Sequence, residues 1–217
     1  CFLLFYPVFC IVLDKKRLFY PIRRDLLDKK VYICQCKKVT KQQAYMNTII
    51  QHQCKERDEL LARPYLMRKS NTDIGVLLSN PMIKLITGPR RVGKSTYALL
   101  MLQGRNFAYL NFDDNLLLSA WDEELVMRTL DEVYAGYEYL LLDEVQNLKD
   151  WDVWVSKLYR RGKNLVITGS NAKMLSSEMA TVLTGRYLQV EMLPFSLSET
   201  MEWKGISTGG DENARQT

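Results

Sequence analysis

Along residues 81–196, short blocks of apolar residues alternate with stretches in which apolar positions recur every three or four residues. Met82–Thr87, led in by Pro81, and Phe107–Phe112, Tyr139–Leu142, Asn164–Thr168 and Arg186–Met192 have the length and content of buried strands. Between them fall helical patterns: Tyr97 to Gln103, Leu116 to Val133, and Asp150 to Tyr159. The last places Trp151, Trp154, Val155 and Leu158 at i, i+3, i+4 and i+7, a core-facing stripe. Ser196-Leu-Ser-Glu199 reads as a capping box that opens one more helix. Strands alternating with helices predict an α/β domain with an open parallel sheet of about five strands flanked by helices. Residues 46–80 read as a helical lead-in, 81–193 as the core, and 194–217 as the start of a following helical region.

Candidate chemistry begins directly after the first strand. Gly88-Pro89-Arg90-Arg91-Val92-Gly93-Lys94-Ser95-Thr96 has the form G-x-x-x-x-G-K-S and stands between a strand and a helix. Two glycines at this spacing let the backbone wrap a phosphate chain and aim its N–H groups inward. The helix that follows adds the partial positive charge of its N-terminus. Lys94 is placed to reach the β- and γ-phosphates, and the Ser95 hydroxyl to ligate Mg²⁺. The remaining loop residues line the same cradle.

A phosphate loop alone does not imply hydrolysis. The run Tyr139-Leu-Leu-Leu142 ends in Asp143-Glu144, at the strand end where parallel sheets build ligand sites. Asp143 is the candidate Mg²⁺ ligand and Glu144 the candidate general base for water. The sequence speaks against a GTPase: no Gly lies three residues after Asp143, and Asn147-Leu-Lys-Asp150 has the wrong order for a guanine-reading motif. ATP is the expected nucleotide.

Two further positions carry open alternatives. Ser170 and Asn171 follow the fourth strand, where they can contact the γ-phosphate or its attacking water, or simply cap the helix that begins at Ala172. Arg186 follows Leu183-Thr-Gly185 and is either a charge-stabilising arginine, in its own site or a neighbour's, or a surface arginine at a strand start.

Taken together, Gly88–Ser95, Tyr109-Leu-Asn-Phe-Asp-Asp114, Leu142-Asp-Glu-Val-Gln-Asn147, Thr168-Gly-Ser-Asn171, Leu183-Thr-Gly-Arg186 and Leu193-Pro-Phe-Ser196 resemble one family. These are the prokaryotic AAA-type P-loop ATPases that usually carry a C-terminal, nuclease-like domain of unknown function. The resemblance covers residues from about 60 to 203. It implies an AAA/ASCE-type P-loop NTPase fold, Mg²⁺-dependent ATP hydrolysis and a cytoplasmic protein of a bacterium or archaeon. It implies an effector domain or partner, and sites that often lie between subunits. By the same likeness Ser170-Asn171 falls at the position called sensor 1, and Arg186 belongs to a Gly-Arg signature. The chain then reads as the ATPase part without its effector half. An ATP-responsive adaptor with little turnover, and a truncated fragment without function, are the alternatives.

Charge changes this picture in one place. The chain of 217 residues carries a net charge of +5, which suggests nucleic acid. Residues 1–45, however, hold ten basic and three acidic side chains, so the remaining residues net to −2. The core charge does not support nucleic-acid binding. Residues 1–45 are unusual in other ways: they lack Glu, Gly and Met, and contain four of the five cysteines. Two readings stand, a native start at Met46 preceded by upstream or misjoined sequence, or a genuine N-terminal extension. The apolar stretch Cys1–Leu13 is interrupted by Pro7 and too short to cross a bilayer of about 30 Å. Cys34, Cys36, His52 and Cys54 lack the spacing of a zinc knuckle. His52 is the only histidine, which excludes His-based triads.

Overall fold

The computed structural model describes residues 26–66, 68, 73–170 and 183–206, with side chains described from residue 41 onward. Asn171 and the helix expected after it lie outside the described residues. The chain divides into two compact units, residues 1–42 and 43–217. Of the first, only helical backbone from Leu26 onward is described.

The second unit is built on a five-stranded parallel sheet. Its strands are β1 (Ile83–Gly88), β2 (Phe107–Asn111), β3 (Tyr139–Asp143), β4 (Asn164–Ser170) and β5 (Tyr187–Glu191), in the order β2-β3-β4-β1-β5. Every strand pairing is parallel. All six residues of β1 are buried, as befits a strand with neighbours on both sides and cover on both faces. Each predicted strand is present to within two residues at either end.

The helices are α1 (Leu26–Leu61), α2 (Ile74–Ser79), α3 (Lys94–Met101), α4 (Asn115–Ser119), α5 (Glu123–Val133), α6 (Trp151–Arg160) and α7 (Leu197–Trp203). The expected single helix from Leu116 to Val133 is two. Asp122 caps α5 by accepting the Leu125 N–H at 2.9 Å, which stops α4 from continuing. Trp121, in the break, packs between Phe112 and Trp154 at ring separations of 5.6 and 4.9 Å. Trp154 and its neighbours Val155 and Leu158 are buried, so the stripe on α6 is core.

Residues 43–61 of α1 belong to the fold more closely than their polar composition suggests. Met46, Ile49 and Ile50 are buried. Gln53 accepts the Asn111 N–H at 3.0 Å and donates to the Asn111 carbonyl at 3.2 Å, imitating a neighbouring strand on the open side of β2. Arg57 donates to the Phe107 carbonyl at 2.6 Å and lies over the rings of Phe107 and Tyr134. One edge of the sheet is thereby closed to pairing with other chains.

Candidate functional site

The chemistry-bearing residues gather at the C-terminal ends of β1, β3 and β4, where the carbonyl ends of adjacent parallel strands open onto one crevice. Gly88 ends β1 with φ 151°, and a Cβ there would stand 2.3 Å from the Met192 carbonyl oxygen. Only glycine fits. Gly93, at φ 87°, forms the N-cap of α3 without a side-chain cap, leaving the first amides of that helix to face the loop. Pro89, Arg90 and Arg91 are exposed, Val92 is buried beneath the loop, and Ser95 and Thr96 are half-buried. Arg91 has φ 66°, a left-handed conformation costly for a residue with a Cβ.

Lys94 is buried, yet among the described residues its Nζ meets only the Pro89 carbonyl at 3.0 Å and Glu144 Oε1 at 3.7 Å. A sequestered ammonium with so few partners, inside a turn of inward-facing amides, suits a polyphosphate. Asp143 is buried, and burial pushes its carboxyl up to about 6, against the opposing effect of hydrogen bonds from Thr168 and Ser95. Tyr109 donates to its other oxygen at 3.4 Å. A buried carboxylate beside a serine hydroxyl is a hard, oxygen-only donor pair, the kind Mg²⁺ takes. Glu144 follows in a left-handed conformation, φ 50°, with one oxygen toward Lys94 and the other accepting from Gln146 Nε2. Ser170 is paired in register with Gly88 and so lies beside the loop.

Arg186 is elsewhere. It precedes β5 at the sheet's opposite end, where its carbonyl accepts the Ile83 N–H at 2.9 Å and its exposed guanidinium reaches Ser156 Oγ at 3.3 Å. Five residues of β1 separate that point from Gly88, roughly 17 Å at the rise of a parallel strand. The suggestion that Arg186 acts in the site of its own chain is corrected by this distance, which no arginine side chain spans.

Two residues of the site escaped the sequence. Thr168 donates to Asp143 Oδ1 and accepts the Glu144 N–H at 2.9 Å, so one hydroxyl positions both acidic residues. Gln146 holds the Glu144 carboxylate. The available signal for Thr168 was its place one step beyond the apolar run of its strand, as Asp143 is in the adjacent one. Beside the loop lies a cavity of about 470 Å³ whose walls include Tyr65, Arg68, Val92, Thr96, Leu100 and Trp203. Its size and aromatic lining suit a nucleoside.

A glycine-rich loop between β1 and α3 with an acidic pair at the end of β3 defines a P-loop NTPase of the AAA/ASCE type. Residues 80–201 match the AAA domain family, and the chain belongs to it. It is accordingly a module of the AAA ATPase class by family and fold. The chain is 37% identical over 142 residues to an uncharacterized protein of Methanocaldococcus jannaschii, covering 63% of this chain and 32% of that protein. It is 34% identical over 138 residues to an uncharacterized protein of Haemophilus influenzae, covering 58% and 34%. The chain therefore spans about a third of the length of the curated relatives it matches. Among solved structures, AMPPCP-bound DnaA from Aquifex aeolicus is similar at TM-score 0.41 and 19% identity, over 60% of this chain and 47% of that one. Hsp104, in a closed state with ATPγS and casein, is similar at 0.43 and 20%, over 70% and 28%. Likenesses this loose carry no argument about the site. Among the described residues, no helix is long and apolar enough to cross a membrane, and no three metal-ligating side chains cluster.

Proposed function

We propose that residues 88–96 hold the triphosphate of ATP, with the nucleoside in the adjoining cavity, and that Glu144 activates the water that attacks it. The observation that carries this reading is the buried Lys94 ammonium, set between the loop and Glu144 with its bonding capacity largely unspent. Ser95 and Asp143 would hold Mg²⁺, which when bound neutralises charge on the phosphates. Lys94 and the α3 amides bind and orient the phosphates, and Ser170, beside Gly88, is offered as a contact to the terminal one. Asn171 is kept as a candidate from the sequence alone. Glu144 takes the proton of the attacking water on a carboxylate oxygen.

The ATPase module drives or gates an effector domain or partner, in keeping with relatives about twice the length of this chain. We place it in the cytoplasm, where ATP is supplied. Arg186 is retained only as a candidate for a neighbouring subunit's site. One observation favours a second reading, an ATP-responsive adaptor with little turnover: both Glu144 oxygens are engaged, by Lys94 and by Gln146, so the base must be freed before water is activated.

Titration of the wild-type chain and Lys94→Ala with ATP, with and without Mg²⁺, tests the site. The variant should lose ATP affinity by about a hundredfold or more, as expected when a buried charge partner is removed. Equal affinity in the two proteins would overturn the assignment. Binding without sustained phosphate release in the wild type would favour the adaptor.

A further inference from the structure

Arg68 stands outside the motifs and contacts the phosphate loop, the segment after β5 and α7. Its Nη1 donates to the Val92 carbonyl of the phosphate loop at 3.1 Å. Its Nη2 donates to the Leu193 carbonyl, just after β5, at 2.6 Å. Its Nε donates to Glu199 Oε1 on α7 at 3.0 Å, and its guanidinium lies 4.4 Å over the Phe195 ring. Glu199 is itself buried, and its other oxygen accepts from the Ser196 N–H and hydroxyl at 2.8 and 2.9 Å, closing the capping box that starts α7.

One planar guanidinium therefore ties three separate pieces of chain. The planar fork of arginine suits this, since its donors lie at fixed angles and it stays charged at every accessible pH. A backbone bond already joins the roots of the same pieces, the Met192 N–H donating to Thr87 at 2.7 Å. Arg68 joins their far ends. Thr200 and Trp203 of α7 also line the cavity beside the loop, so a ligand seated there touches both parts that Arg68 connects.

We propose that Arg68 is a positioning residue that couples the phosphate loop to α7, so that nucleotide in the loop fixes the helix leading out of the ATPase core. The inference rests on the assignment of the loop and cavity to ATP. It extends that assignment by naming the element that responds. A shift of Val92 on phosphate binding strains its bond to Arg68, and a shift of Arg68 strains its ion pair with the Glu199 carboxylate that holds the first turn of α7. The coupling is reciprocal, so disturbing α7 must also weaken ATP binding.

The test is amide hydrogen exchange of residues 196–203 with and without saturating ATP and Mg²⁺, in the wild type, Arg68→Ala and Glu199→Gln. ATP should slow exchange in this segment about tenfold or more in the wild type. In both variants ATP at saturation should change it less than about twofold, while ATP affinity falls about tenfold. Arg68→Lys, which keeps the charge but not the fork, should restore less than half of the response. Should Arg68→Ala fail to fold, Glu199→Gln decides, because it keeps the shape of the side chain and most of the cap. A wild-type response retained in either folded variant overturns the proposal. Failure of the wild type to bind ATP would instead sink the assignment on which it rests, and Lys94→Ala separates the two cases, since it weakens binding about a hundredfold or more while removing none of the groups that Arg68 contacts.

Discussion

The two ends of the parallel sheet are built from the same strands yet differ in backbone conformation and in how their buried polar groups are arranged. At the C-terminal end, Thr87, Asp143 and Thr168 are buried polar groups, and Arg91 and Glu144 adopt left-handed backbone conformations. At the N-terminal end Lys84 and Ser156 are also buried, but each bonds a neighbouring protein group, Lys84 Nζ donating to the Asn80 carbonyl and Ser156 accepting from Arg186. Asn164 donates to the Glu138 carbonyl at 3.2 Å, and Arg186 reaches Ser156 from an exposed position. Buried polar groups and strained backbone both cost stability, so their coincidence at one end marks where the fold holds a ligand and not merely itself.

The largest contrast should come from Glu144→Gln. Phosphate release should fall by about a hundredfold or more while ATP still binds, since the amide keeps the shape but cannot take a proton. Undiminished turnover in this variant would defeat the mechanism. Gly88→Ala should come next: a methyl cannot fit 2.3 Å from the Met192 carbonyl, so the loop and β5 must separate. A loss of about 2–3 kcal/mol in chemical denaturation, with weakened ATP binding, is expected. Thr168→Val removes the one hydroxyl shared by Asp143 and the Glu144 N–H. Steady-state assays should show kcat down about tenfold with a smaller change in KM, because both acidic groups lose their bearing without leaving the site. The smallest effect belongs to the other end. Arg186→Ala should change the turnover of dilute protein by less than about twofold. A drop that emerges only at concentrations where the chain self-associates would give Arg186 a part in a neighbour's site and blur the division between the ends.

The chemistry was largely legible because it is local. The run Gly88–Ser95 and the pair Asp143-Glu144 sit beside apolar blocks whose burial places them at strand ends. What was not legible depends on residues far apart in the chain. Thr168 looks like any strand-terminal threonine until β3 and β4 are paired, and Arg68 like any surface arginine until β5 and α7 are placed around it. The break at Trp121 was hidden because the apolar period runs on through it; only the cap at Asp122 and the packing against Phe112 and Trp154 define it. Helix α1 was underread for a related reason. Its buried positions from Met46 to Ile50 are few, and Gln53 and Arg57 dock by polar contacts that no hydrophobic period reports.

The strand order bears on how the module comes into being on the ribosome. Among the described strands, the first in the chain, β1, pairs with the last two, β4 and β5, and with neither of the strands made directly after it. A nascent chain that has emerged through α6 already carries the complete phosphate loop, but the strand that supports it has no partner on either side. Its final partner arrives only with residues 187–191. Folding of this sheet must therefore close on β1 late, through contacts of long sequence separation, which is slow. Until β4 and β5 have been made, the apolar β1 lacks both of its sheet neighbours, the kind of unpaired strand that is prone to aggregate.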